Sequence, residues 1–261
     1  MKKSFGLADN PKQKLGILVE QQMEVKPYSD SAGKKEQVER MFDSISGRYD
    51  FLNRSLSFGI DVYWRKRMVA KLRKDKPQSI LDIATGTADV AISLRKLGPQ
   101  KIVGLDLSEK MLEVGREKIK KRNLSGLIQL VKGDSEQLPY PSDSFDAITV
   151  AFGVRNFENL KQGLAEMCRV VKPGGKVVIL EFSRPRIFPI KQLYDFYFRF
   201  FCPWWGKLIS KDSAAYTYLY DSVNAFPEGD DFMKIAKSAG FSIGTSERLS
   251  FGIVSLYTVS K

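Results

Sequence analysis

Apolar residues change their spacing along the chain, and each spacing predicts an element. From Glu36, Val38, Met41, Phe42, Ile45, Tyr49 and Leu52 recur at helical intervals with Lys35, Glu39 and Arg40 off that face, which predicts an amphipathic helix. Ser55 to Gly59 interrupts it, and from Val62 to Leu72 the residues Trp64, Met68 and Leu72 share one face of a second helix. Beyond Pro77 short apolar runs alternate with amphipathic segments. Strands are expected at Ile80–Ala84, Lys101–Leu107, Leu127–Lys132, Phe145–Ala151 and Lys176–Phe182. Helices are expected from Asp89 to Leu97, from Ser108 through Ile119, and from Leu160 to Val171, the last stopped by Pro173-Gly174-Gly175. Such alternation argues for an α/β protein, a parallel sheet covered by helices on both faces.

Residues 184–226 break the rhythm with an aromatic run that includes Tyr194, Phe198, Trp204 and Trp205. A helix around Phe232–Ala239, closed by Gly240, follows. Phe241–Thr245 and Ile253–Val259 are expected to pair antiparallel. Residues 1–35 lack sustained periodicity and are expected to form a flexible arm. Residues 36–76 are read as a helical lid on a domain spanning 36–261, because helices that precede the first strand are able to cover whatever binds at its end.

Chemistry concentrates where the strands end. The first strand runs into Gly86, Thr87 and Ala88, with Asp89 expected to cap the next helix. In an open α/β sheet, ligands sit at the carboxyl ends of the strands near the first strand-to-helix turn. Asp82, Gly86, Thr87, Asp106 and Asp134 form a series there that suits an adenosyl ligand. Gly86 permits close backbone approach, Asp106 accepts from ribose hydroxyls and Asp134 from an adenine amine. The loop lacks the remaining glycines of a dinucleotide fingerprint, and Asp89 would repel a pyrophosphate. A ligand without phosphates, carrying the sulfonium of S-adenosylmethionine, fits better.

Composition narrows the chemistry further. The 261 residues contain no histidine, which excludes His-based triads and His-ligated metal sites, and no metal is expected. Cys168 and Cys202 are read as reduced thiols, and no apolar run approaches the ~20 residues of a membrane span. A net charge of +12 raises nucleic acid as a partner, but the basic residues are spread along the chain and the aromatic run is too apolar for a base-stacking groove.

LDIATGTAD, GLDLSEKMLEVGREK, GDSEQLPYPSDSFDAITVAFGVRN and EMCRVVKPGGKVVILEFSRP together resemble the ubiquinone/menaquinone biosynthesis C-methyltransferase family, from about Val38 to the C-terminus. The resemblance implies a class I S-adenosylmethionine-dependent methyltransferase, Rossmann-like, with a mostly parallel seven-stranded sheet. It also implies a polyprenyl hydroquinone as methyl acceptor. Carried over by motif, Thr87 contacts the cofactor, Asp106 binds its ribose, and Asp134 with Ser135 holds the adenine end. Arg155 and Asn156 of FGVRN would face the acceptor ring, Arg155 stabilising a phenolate while Asn156 orients a water or hydroxyl. Some positions depart from the pattern. Ala84 and Ala88 stand where the class often has glycine, Ala151 where relatives often carry serine, and Asp61 where many have histidine.

The reaction expected is demethylmenaquinol to menaquinol, with methylation of a ubiquinone precursor or another small molecule as the alternative. The absence of an organelle-targeting segment suggests a cytoplasmic bacterial enzyme. Its aromatic insertion, flanked by Lys191, Arg199, Lys207 and Lys211, suggests a tail channel or peripheral contact with the inner face of a membrane. A homo-oligomer is left open.

Overall fold

The structure is a computed structural model that describes residue 16 and residues 25–201 and 214–261. Helices α1 (Lys34–Ile45), α2 (Tyr49–Leu56) and α3 (Asp61–Ala70) precede the first strand. The chain then alternates through β1 (Ser79–Ile83), α4 (Asp89–Leu94), β2 (Lys101–Asp106), α5 (Glu109–Lys121), β3 (Ile128–Lys132), β4 (Phe145–Ala151), α6 (Leu160–Val170) and β5 (Val171–Phe182). After α7 (Ile190–Phe196), α8 (Ala214–Ala225) and α9 (Asp230–Ser238) come β6 (Ile243–Leu249) and β7 (Val254–Ser260).

The strands form one seven-stranded sheet in the order β3-β2-β1-β4-β5-β7-β6. Pairings from β3 to β5 are parallel, and β7 runs antiparallel to both β5 and β6. The chain turns outward in both directions from β1 and β4, so the strand order reverses between them, where ligands of such sheets collect. Both faces of the sheet are covered. Leu81, Ile83, Ile148 and Val150 pack with α6 and α9 residues such as Leu164 and Phe232, while Ile80, Ile102 and Val178 pack with Trp64, Met68 and Leu112. Burial on both faces explains why these strands read as continuous apolar runs rather than alternating ones.

Three local features differ from the expectations. The first amphipathic stretch is broken at Ser46–Arg48. The Ser44 and Ser46 hydroxyls donate to the carbonyls of Met41 (2.7 Å) and Asp43 (3.1 Å), so the side chains compete with the helix ladder beside Gly47. The expected stop at Pro173-Gly174-Gly175 lies inside β5, whose pairing with β4 jumps from Phe145–Val171 to Ala147–Lys176, a bulge made possible by Gly174 at φ +75°. Asp89 is the first residue of α4 rather than its cap; the cap position belongs to Ala88, in the left-handed region at φ 66°.

Of the aromatic insertion, α7, the following turn Tyr197–Phe201 and α8 are described, whereas Cys202, Trp204, Trp205, Lys207 and Lys211 lie outside the described residues. Most of the 1–35 arm does too. From Val25 to Gly33 the chain runs beside α1, where the Gln37 side chain accepts from the Tyr28 amide (2.8 Å) and donates to Asp30 and Ala32 (2.9 Å each).

Candidate active site

The loop after β1 is held in a sharply curved path. Ala84, Gly86 and Ala88 all have positive φ (52°, 55° and 66°), so two alanines occupy a conformation that suits glycine. Hydrogen bonds hold it there: the Thr85 amide donates to the Leu105 carbonyl (3.1 Å), the Ala88 amide to the Thr85 carbonyl (2.9 Å) and the Gly86 amide to the Asp106 carboxylate (2.8 Å). Gly115 on α5 lets that helix close on the loop, since a Cβ there would lie 3.3 Å from that of Ala88.

Asp82 is buried beneath this loop. It accepts from the Thr85 and Thr149 hydroxyls at 2.6 Å each, and burial pushes its carboxyl up to about 6. It lines neither of the cavities described below and shapes the site through Thr85. Asp106, ending β2, does line a cavity; its oxygens accept from the Gly86 and Ser108 amides (2.8 and 2.9 Å). Burial raises its carboxyl above the usual range, and each oxygen has a second lone pair for a hydroxyl donor. Thr87 turns the other way, donating to Asp50 on α2 at 2.5 Å and accepting from Lys118 at 3.0 Å. Asp134 accepts from Lys35 at 2.7 Å, while neighbouring Ser135 lines the same cavity as Gly86 and Asp106. Asp89, expected to bring negative charge to the ligand, instead pairs with Lys118 and with Arg65 (3.4 Å) and lines neither cavity.

Two cavities adjoin at the carboxyl ends of the strands. The smaller, about 60 Å³, lies between the loop and α1 and is lined by Gly86, Asp106, Ser108, Ser135 and Asn156 among others. The larger, about 380 Å³, is walled mainly by apolar side chains from α1–α3, β5, α7, the turn after it and α8, including Leu52, Trp64, Phe182, Tyr194, Phe198 and Leu219. Phe42, Tyr49 and Phe152 line both, and so form the partition.

The two residues of the FGVRN motif straddle that partition on one short turn, Val154–Asn156. Arg155 lines the larger cavity and Asn156 the smaller. Arg155 is buried and donates from Nη1 to Glu181 (2.8 Å) and to the Phe152 carbonyl (2.5 Å), with its guanidinium carbon 5.5 Å from the Phe182 ring centroid. Its amide donates to the other Glu181 oxygen at 3.2 Å. Glu181 went unnoticed in the sequence; a lone carboxylate inside the apolar run Val177–Phe182 was the available signal. The Asn156 amide oxygen accepts from Tyr218 (3.1 Å), whose phenol burial pushes up. Asp61, in the histidine position, sits in the wall of the larger cavity and pairs with Arg65 and with Arg54 (3.3 Å). Lys35 and Tyr49, which the spacing places only off and on an apolar helix face, also line the smaller cavity.

A mostly parallel sheet with reversed strand order and an acid ending β2 beside a tight loop is the Rossmann-like arrangement that class I S-adenosylmethionine-dependent methyltransferases share. Solved structures agree on the fold. A putative O-methyltransferase from Nostoc punctiforme superposes with a TM-score of 0.66 at 16% identity, over 97% of this chain and 68% of that one. A SAM-dependent methyltransferase from Thermotoga maritima gives 0.59 at 17% identity, over 85% and 99%.

Sequence comparison carries the assignment further. The chain belongs to the ubiE/COQ5 methyltransferase family, which it matches over residues 30–261. It is 48% identical over 241 residues to a demethylmenaquinone methyltransferase of Bacteroides fragilis, covering 92% of this chain and 98% of that protein. Against a ubiquinone/menaquinone biosynthesis C-methyltransferase of Geotalea daltonii it is 47% identical over 230 residues, covering 87% and 97%. Membership makes the protein a methyltransferase with S-adenosylmethionine as its cofactor, as the motifs implied. Among the described residues no helix is long and apolar enough to cross a membrane.

Proposed function

We propose that the protein methylates a ring carbon of a reduced polyprenyl quinone, converting demethylmenaquinol to menaquinol. The observation that carries this reading is the large apolar cavity abutting the loop cavity across Phe42, Tyr49 and Phe152, a room for a lipophilic ring beside the cofactor. S-adenosylmethionine supplies an electrophilic methyl group. Asp106 would hold its ribose, the backbone of the Gly86–Thr87 loop its amino-acid end, and Ser135 with Asp134 its adenine. Asp82 supports the loop from beneath.

The acceptor must be the hydroquinone. Loss of its hydroxyl proton lets the oxygen lone pair push into the ring, the ring carbon would take the methyl as the sulfur–methyl bond breaks and its electron pair stays on sulfur, leaving S-adenosylhomocysteine, and loss of the ring proton to the proton acceptor restores aromaticity. Much of the rate comes from alignment, for which the partition side chains are placed. Arg155 shares its charge with Glu181, so it presents a fixed, partly compensated guanidinium to the phenolate rather than a bare cation. Asn156, anchored by Tyr218, orients the proton acceptor at the partition.

Residues 36–76 act as a lid on the methyltransferase domain, and the face around the larger cavity rests against a membrane from the cytoplasmic side. Phe58, Ile60, Leu193 and Phe251 at its mouth are 43–74% exposed, as are Phe196 and Phe200 nearby. Exposed aromatics of this kind suit a lipid interface. Arg155→Ala should lower kcat by about 10² with cofactor affinity retained; full turnover in that variant sinks the role. Binding to anionic vesicles that persists unchanged in Phe196→Ser/Phe200→Ser would remove the membrane contact.

A further inference from the structure

We propose that a six-charge network running from Asp61 to Thr87 couples the two cavities, with Arg65 and Asp89 as positioning residues that make acceptor and cofactor bind cooperatively. This rests on the reading of the two cavities given above.

The network starts in the wall of the larger cavity, where Asp61 accepts from Ser57 (3.0 Å) and pairs with Arg65 and with Arg54 at 3.3 Å. Arg65, also in that wall, reaches Asp89 at 3.4 Å, the first residue of the helix after the cofactor loop. Asp89 pairs with Lys118 of α5, which also meets Asp50 at 2.8 Å and Thr87 at 3.0 Å. Asp50 closes the chain by accepting from Thr87 at 2.5 Å. Asp50, Asp61 and Asp89 balance Arg54, Arg65 and Lys118, so the network carries no net charge.

Its connection to α2 gives it a function. Asp50 starts that helix on the cofactor loop, and Arg54 near its end is tied to Asp61 in the acceptor wall. On the same helix Tyr49 lines both cavities, and Leu52, Asn53 and Leu56 line the larger. Lys35, Val38, Glu39 and Phe42 of α1 and Tyr49 of α2 line the smaller cavity and cover it. The helices move aside to admit the cofactor and return over it, and the network is the surface they leave and rejoin. The two members that α2 carries, Asp50 and Arg54, are 43% and 48% exposed, so releasing their contacts costs little and both states are accessible. An acceptor ring in the larger cavity packs on Leu52, Leu56 and Trp64, favours the closed position, and brings Asp50 back onto Thr87. A ligand that prefers the closed state tightens the other, and the effect is reciprocal.

The test is calorimetric titration of the full chain with S-adenosylhomocysteine, alone and with saturating 2-methyl-1,4-naphthoquinone as the probe of the larger cavity. In the native protein the quinone should tighten S-adenosylhomocysteine about fivefold or more. Asp89→Asn and Arg65→Gln should each reduce that factor to below about twofold, with Arg65→Lys recovering most of it. Lys118→Gln serves as a third variant if either of the first fails to fold. A native protein that binds both probes without mutual effect, or variants that keep the native factor, overturns the coupling and leaves the proposed function standing. Failure of S-adenosylhomocysteine to bind the native protein at all overturns both.

Discussion

Glu181 is the side chain on which the acceptor side of the site depends. Glu181→Ala removes the acceptors of Arg155 Nη1 (2.8 Å), the Arg155 amide (3.2 Å) and the Phe182 amide (2.9 Å) in one step. Arg155 is 6% exposed and Glu181 fully buried, so water is poorly placed to replace the lost bonds. Breaking a buried ion pair from one side costs about 3–5 kcal/mol. Glu181→Gln keeps the shape and one carbonyl acceptor but loses the charge, and should cost about 2 kcal/mol, the range of a hydrogen bond to an ionised group. The double change Arg155→Met/Glu181→Leu removes both charges, which is often neutral, and leaves only the acceptor of the Arg155 and Phe182 amides missing, so it should be less destabilised than Glu181→Ala by about 1–3 kcal/mol. Urea unfolding followed by tryptophan fluorescence measures all three, with buried Trp64 near the site as a reporter. The reasoning fails if Glu181→Ala costs less than about 1 kcal/mol, or if the double variant is as unstable as the sum of the single ones.

Two buried charges give stability a signature in pH. Asp82 keeps its proton to about pH 6 in the folded protein, while an unfolded aspartate releases it near 3.8, so its contribution is full below the unfolded value and is lost as pH rises through about 6. Native stability should therefore fall by roughly 3 kcal/mol relative to Asp82→Asn between pH 4 and 7, and parallel curves in urea titrations would contradict this. Lys34, buried at the start of α1 with its ammonium 3.4 Å from the Arg155 carbonyl, is held down to about 8 from 10.5 because burial outweighs the attraction of Glu136 and Glu158. The folded state then sheds a proton that the unfolded chain keeps, so stability should rise between pH 8 and 10.5, by roughly 3 kcal/mol relative to Lys34→Met, and a flat difference would remove the argument.

The sheet was legible because its strands are buried on both faces: runs such as Ile102–Leu105 and Val177–Leu180 have no polar interruption, and helices with one apolar stripe lie between them. Gly86, Asp106 and Ser135 were legible as cavity residues because they stand at strand ends or turns, where backbone geometry selects the residue type. What escaped depends on contacts distant in sequence. The side chains of Asp82 and Thr87 find partners in Thr149 and Asp50, 67 and 37 positions away. Asp134 meets Lys35 across 99 positions, and no local pattern foretells that lysine. Ala84 and Ala88 stand where the class often has glycine, and their positive φ places them in the left-handed region, a backbone property that side-chain identity alone conceals.

The central claim is that the apolar cavity presents a reduced quinone ring to the methyl donor. The most direct measurement incubates the purified protein with isotopically labelled S-adenosylmethionine and demethylmenaquinone, chemically reduced or left oxidised, with the reduced ubiquinone precursor in parallel, and locates the label by mass spectrometry. The account predicts label on a ring carbon of demethylmenaquinol, little on the oxidised form, and less on the ubiquinone precursor. Label on an oxygen, equal transfer to the oxidised ring, or no transfer to demethylmenaquinol by a protein that binds the cofactor would contradict it.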